Sequence, residues 1–158
     1  MMSFDTDLRG LVGYNVKRAN SSLLVGVGKV LKPFGLRRTT YSALSVIAQN
    51  AGIKQSDLAQ VLAIERPNLV QILDELQKPG LIERTRDAND RRAYRLTATT
   101  AGIEKIAAAA KKLRAFDEHL TKGMAAEERA ALIAALRRVE ENGAEAWEGR
   151  EIGQVSTT

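Results

Sequence analysis

Arginine, asparagine and glutamine are the side chains best suited to reading base edges, and Arg66, Asn68 and Gln71 stand close together in this chain. A guanidinium offers paired donors that match guanine, and a carboxamide offers a donor and an acceptor that match adenine. A second cluster with nucleic-acid chemistry is Asp87-Ala88-Asn89-Asp90-Arg91-Arg92. It joins two runs that alternate apolar and charged residues, Leu81–Arg86 and Ala93–Thr97, the second carrying β-favouring Tyr94 and Thr97. An arginine at the tip of such a ribbon can enter a narrow minor groove, where the negative potential is deepest. Each cluster also has a plainer reading. Asp and Asn populate solvated turns for backbone reasons alone, and any surface helix is polar on its outer face.

Other chemistries are poorly supplied. The chain has no cysteine, which removes disulfides, thiolate nucleophiles, thiol redox sensing and Cys-based zinc sites together. The lone His119 cannot build a metal site alone, and with no Ser-His-Asp set and no phosphate-cradling glycine loop an enzyme is not expected. No cofactor is expected either. No apolar run approaches the roughly 20 residues of a membrane span, and Met1–Asp5 lacks a basic-then-apolar signal layout. The expected location is the cytoplasm, with no membrane partner.

The net charge of +5 suggests an anionic partner only weakly, but its distribution is informative. Residues 7–38 carry seven basic residues against one acidic, residues 39–102 eight against seven, and residues 103–158 nine against ten. Contacts from the middle segment to DNA must therefore come from individually placed arginines.

The elements that would position these residues follow from periodicity. Apolar residues at three- and four-residue steps, from Leu8 through Val30, predict one long amphipathic helix over about 7–31, with Asp5, Thr6 and Asp7 supplying side-chain acceptors for its first turn and Pro33 with Gly35 ending it. A second helix after Thr39-Thr40 buries Tyr41, Leu44 and Ile47. Gln55–Leu62, a break at Ala63-Ile64 and a helix from Glu65 or Arg66 to Lys78 form a helix-turn-helix candidate, with Pro67 in the first turn of its second helix. Leu69, Ile72, Leu73 and Leu76 make that helix's buried stripe, leaving Arg66, Asn68, Gln71, Asp74 and Glu75 off it. Further helices are expected over about 98–121, with Thr97 as cap, and over about 125–147, burying Leu132, Ile133, Leu136 and Val139. Residues 149–158 read as a frayed tail.

Taken together, Gln55–Gly102 resembles the winged helix-turn-helix of the multiple antibiotic resistance regulator (MarR) family. The residues that carry the likeness are Gln55-Ser56-Asp57-Leu58-Ala59, Glu65-Arg66-Pro67-Asn68-Leu69-Val70, Gly80-Leu81-Ile82-Glu83-Arg84, Asp87-x-x-Asp90-Arg91-Arg92, and Leu96-Thr97 ahead of Gly102. The implied fold is mainly α with a small β-hairpin wing. Its expected parts are an N-terminal dimerisation helix (1–35), a winged DNA-binding domain (36–98), C-terminal dimerisation helices (99–148) and a disordered tail (149–158).

The resemblance further implies a homodimer that places two recognition helices on a pseudo-palindromic duplex, with half-sites about 10 base pairs apart. By that likeness Arg66, Asn68 and Gln71 face the major groove and Arg91 enters the minor groove with Asp90 directing it. Ser56 and Thr39 or Thr40 are placed to meet phosphates, while Arg86 and Arg92 either meet phosphate or brace the wing. Asn89 stands where many members carry a further basic residue, and Pro67 makes the recognition helix begin rigidly. The family's commoner mode is repression relieved by a small aromatic or anionic effector such as an aromatic acid or acyl-CoA. Tyr14, Arg18 and Tyr41 are the candidate pocket residues, although core tyrosines and a surface or interface arginine are the plainer reading. The competing function is a winged-helix dimer that serves as a protein-interaction module without reading an operator.

Overall fold

The computed structural model describes residues 5–87 and 93–147. The chain forms two compact units that meet in sequence at Asp117 and Glu118.

In the first unit, helix α1 (Thr6–Arg9) precedes α2 (Val12–Leu31), so the single helix predicted over 7–31 is broken near Gly10. Asn15 explains how the break is tolerated: its amide Nδ2 donates to the carbonyls of Arg9 (2.7 Å) and Leu11 (2.9 Å). Asp5 does not cap the helix; its carboxylate accepts from Arg9 Nε (2.9 Å) and the Tyr14 hydroxyl (2.7 Å). A 3-10 turn at Lys32–Phe34 leads to α3 (Arg38–Gln49), whose buried face is Thr40, Ala43, Leu44 and Ile47. Tyr41 is only half-buried.

A two-residue strand β1 (Ile53–Lys54) runs directly into α4 (Gln55–Val61), followed by α5 (Arg66–Gln77). The four predicted stripe residues of α5 are its buried ones. The helix ends at a turn where Gly80 takes φ +72° and the Leu81 N–H returns to the Leu76 carbonyl (3.0 Å), a backbone shape in which a Cβ is disfavoured.

Strands β2 (Ile82–Arg86) and β3 (Tyr94–Ala98) pair antiparallel, with Arg84 opposite Leu96 and Arg86 opposite Tyr94. β1 adds to the other side of β3, Ile53 opposite Leu96, giving the order β1-β3-β2. Leu96 on the central strand is fully buried and joins Leu44, Ile47, Leu58, Leu69 and Leu73 in one core. That core fixes the register, because a one-residue slip would turn Leu96 outward.

α6 (Thr100–Leu120) begins one residue beyond β3. Thr99, rather than the expected Thr97, caps it: the Gly102 N–H donates to Thr99 Oγ1 (3.1 Å), which itself donates to the Gly80 carbonyl (2.7 Å). Thr97 is spent on the strand. Gly102 lies so close to the chain at Leu81 that a Cβ would sit 2.1 Å from the Leu81 carbonyl oxygen. Of the apolar residues on α6, Ile106 is buried while Ile103 and Leu120 stay exposed.

In the second unit a turn with Gly123 precedes α7 (Ala126–Trp147). Glu128 accepts from the Ala125 N–H (2.7 Å), satisfying a donor at the helix start. The residues expected to be buried on α7 are not: Leu132, Ile133, Leu136 and Val139 remain 42–50% exposed, an apolar stripe that a single chain leaves uncovered.

Candidate nucleic-acid interface

The turn between α4 and α5 is tight, since the Ala63 and Ile64 N–H groups bond back to Gln60 and Ala59 and Ala63 takes φ +49°. α5 then starts with Arg66 and Pro67, where the missing proline N–H costs no helical bond. Its outward face is selectively occupied. Arg66, Asn68 and Gln71 are exposed. Asp74 and Glu75, polar neighbours further along, are each held by an arginine from another element.

Arg84 of β2 reaches Asp74 through Nη2, and its side chain is only 15% exposed. Arg37, ahead of α3, grips Glu75 with two parallel bonds, Nε to Oε2 and Nη2 to Oε1, both 2.8 Å. That fork geometry holds the Glu75 carboxyl below the ordinary glutamate range and the Arg37 guanidinium above its own. The recognition-type helix is therefore pinned from two sides, to the sheet and to α3. Sequence spacing gave no sign of either pair, because the partners lie ten and 38 residues apart.

A groove of about 550 Å³ opens beside α5. It brings together the predicted Ser56 and Arg66 with Gln55, Val70, Arg84 and Tyr94, four residues that sequence reasoning did not assign. Val70 is 42% exposed and could meet a thymine methyl group. The available signal was that it sits one helical turn from Arg66 and off the leucine stripe. Pro67, Asn68 and Gln71 are exposed on α5 outside this lining.

At the root of the wing, the Asp87 N–H donates to the Ala93 carbonyl (3.0 Å) and closes the base of the connection. The Asp87 side chain is 2% exposed, and Arg95 Nε stands 2.7 Å from its Oδ2. Arg95 also donates from Nη1 to the Gly52 carbonyl (3.0 Å), tying the wing root to the turn before β1. Arg95 is thus a brace that sequence reasoning missed; Arg86 is exposed at the end of β2. The predicted tip residues Asn89, Asp90 and Arg91, with Arg92, lie outside the described residues.

Thr40 does not serve as a phosphate ligand. It is buried, and its hydroxyl is engaged with the Arg37 N–H and carbonyl, both at 2.9 Å.

The three candidate effector residues take different surroundings. Tyr14 gives its hydroxyl to Asp5, a bond that raises its pKa, and its ring lies 5.6 Å from the Arg9 guanidinium. Tyr41 packs against the core. Arg18 lines a cavity of about 510 Å³ with Ser21, Ser22 and Val25, and neither tyrosine is on that lining. Among the described residues no cluster of His, Cys, Asp or Glu could hold a metal ion, and no helix is long and apolar enough to cross a membrane.

Comparison with known proteins agrees with this geometry. A model of the MarR family matches residues 34–93. A Thauera aromatica protein, named as a proposed transcriptional regulatory protein for the hcr operon, is 28% identical over 133 residues, which is 84% of this chain and 80% of the relative. The transcriptional repressor CouR bound to a 23-mer DNA duplex is 31% identical with a TM-score of 0.83, covering 89% of this chain and 99% of that one. CouR from Rhodococcus jostii RHA1 bound to p-coumaroyl-CoA is 26% identical with a TM-score of 0.76, over 84% of this chain and 93% of that one.

Proposed function

This chain belongs to the MarR family of transcriptional regulators, and on that premise we propose that it is a repressor that binds a pseudo-palindromic operator as a homodimer until a small anionic or aromatic effector releases it. The observation that carries the reading is the selective occupation of α5. Arginines hold Asp74 and Glu75, and thereby orient the helix, while Arg66, Asn68 and Gln71 are left exposed for base edges.

Residues 36–98 form the DNA-binding part in this reading. Ser56 meets phosphate, Pro67 sets the start of the reading helix, and Arg86 with Asn89, Asp90 and Arg91 makes the wing contacts. Residues 1–35 and 99–148 dimerise, with 149–158 as a tail. Uncovered apolar side chains support that division: Leu8, Leu11 and Val12 near the N-terminus and Leu132, Ile133 and Leu136 on α7 are 42–60% exposed. Two-fold symmetry then uses one short recognition helix twice.

The p-coumaroyl-CoA complex of CouR supports an aromatic acid or acyl-CoA as effector. Tyr14, Arg18 and Tyr41 stay candidates for its contacts, with Arg18 the one on a cavity.

The test is fluorescence anisotropy of the full-length protein on duplexes tiled across its own upstream region, with light scattering for mass. Expected is a dimer that selects one segment over unrelated DNA and loses affinity steeply with salt. A monomer, or equal affinity for all segments, would overturn the reading.

A further inference from the structure

We propose that Val70 is a specificity-determining residue that reads the 5-methyl group of a thymine, once in each half-site of the operator. The proposal rests on the reading of the chain as an operator-binding dimer and adds to it a base that the polar side chains of α5 do not select.

Val70 stands where its own chemistry has no use within the chain. It is the one large apolar side chain of α5 left exposed, at 42%, while Leu69, Ile72, Leu73 and Leu76 carry the burial. Valine is also a poorer helix former than the Leu, Gln and Glu residues around it, because its branched Cβ crowds the preceding turn. A position that gains neither burial nor propensity is a local conflict of the kind found at functional sites.

The neighbours of Val70 define that function. Arg66, Val70 and Asp74 follow one another at four-residue steps and form one ridge of α5. Asp74 is already held by Arg84 of β2, so the ridge is closed at that end. At the other end Arg66 is exposed, and it lines the 550 Å³ groove together with Val70, Arg84 and Tyr94. Four residues advance a helix by about 6 Å, less than two base steps of about 3.4 Å, so Arg66 and Val70 serve neighbouring base pairs of one half-site.

The partner follows from what valine lacks. It can neither donate nor accept, so phosphates and the polar base edges offer it nothing. The thymine methyl is the apolar group that marks one base in the major groove. Branching at Cβ also fixes χ1, so both Cγ methyls are ordered before contact and little freedom is lost on binding. Full burial of one methyl corresponds to roughly fourfold in affinity. A contact at a groove edge stays partly wet, which gives roughly two- to fourfold per half-site and four- to 16-fold for the dimer.

The experiment takes the segment selected in the upstream tiling and replaces its thymines, one symmetric pair at a time, by deoxyuridine. That exchange keeps the pairing and every hydrogen-bonding group and deletes only the methyl. Anisotropy is measured with the full-length parent and with Val70→Ala, whose circular dichroism melting temperature should match or exceed the parent's because alanine is the better helix former. Expected is one thymine pair whose loss of methyl weakens the parent four- to 16-fold, with V70A binding the thymine and deoxyuridine duplexes alike at that pair. A parent insensitive to every replacement overturns the proposal. So does V70A with the parent's thymine preference intact, which would move the contact to another apolar side chain such as Pro67 or Tyr94. Either result leaves the selected segment, and with it the regulator reading, in place; absence of any selected segment overturns both.

Discussion

Replacing Arg95 by methionine isolates the clamp at the root of the wing. The change keeps an unbranched stem over the sheet and removes two contacts, the 2.7 Å pair to Asp87 and the 3.0 Å bond to the Gly52 carbonyl. With its side chain 2% exposed, Asp87 then loses a cation in a place that water reaches poorly. Removing one partner from a fully buried pair costs about 3–5 kcal/mol. Arg95 itself is 44% exposed, so solvent replaces part of the loss, and the expected cost is about 1.5–3 kcal/mol. Urea unfolding of the full-length protein reads this as a lower midpoint at unchanged slope. Adding Asp87→Asn removes the buried charge that has lost its Arg95 guanidinium, so the double variant should regain more than half of the loss. A cost below about 0.5 kcal/mol for R95M, or a double variant no more stable than the single one, would refute the account based on a buried carboxylate.

Gly102→Ala should destabilise by about 1–3 kcal/mol in the same assay, because the contact at 2.1 Å is to backbone oxygen and outweighs the roughly 1 kcal/mol that alanine gains in a helix. Ala63→Gly should stabilise by about 0.5–1 kcal/mol, since φ +49° penalises a Cβ; an unchanged melting temperature would speak against strain in that turn. The Arg37–Glu75 pair contributes above the ordinary glutamate range and is lost as pH falls through the depressed pKa of Glu75, so E75Q should flatten the acid limb of a stability–pH curve, by less than about 1 kcal/mol at this exposure. On DNA, Arg91→Ala should weaken binding with a shallower salt slope, whereas Gln71→Ala should chiefly change base preference across a set of operator variants.

What the sequence made legible was whatever repeats locally. The leucine stripe of α5 and the polar face opposite it follow from a 3.6-residue period, and both strands of the hairpin follow from alternation. β1 escaped notice because two residues cannot show a period, and the break at Gly10 because Asn15, which satisfies its carbonyls, reads as an ordinary helical residue. Gly102 was visible as part of a family pattern, but its reason, the Leu81 carbonyl, is tertiary. The pairs that orient the site, Arg84 with Asp74, Arg37 with Glu75 and Arg95 with Asp87, join separate elements and carry no mark in local composition. Sequence therefore named candidates for contact but not the residues that hold them in place. The expected burial of α7 failed for a related reason: an apolar stripe reveals that a helix wants cover and says nothing about which chain supplies it.

The two arginine anchors on α5 restrict how this reader can be re-engineered. Positions 74 and 75 are already committed to Arg84 of β2 and to Arg37 ahead of α3, so under the proposed reading a change of target sequence has to be sought at the exposed positions 66, 68, 70 and 71. A recognition helix grafted in without carboxylates at 74 and 75 would lose its ties to Arg84 and Arg37. The transferable unit is therefore the helix together with residues 37 and 84, a discontinuous cassette that a simple segment swap would split.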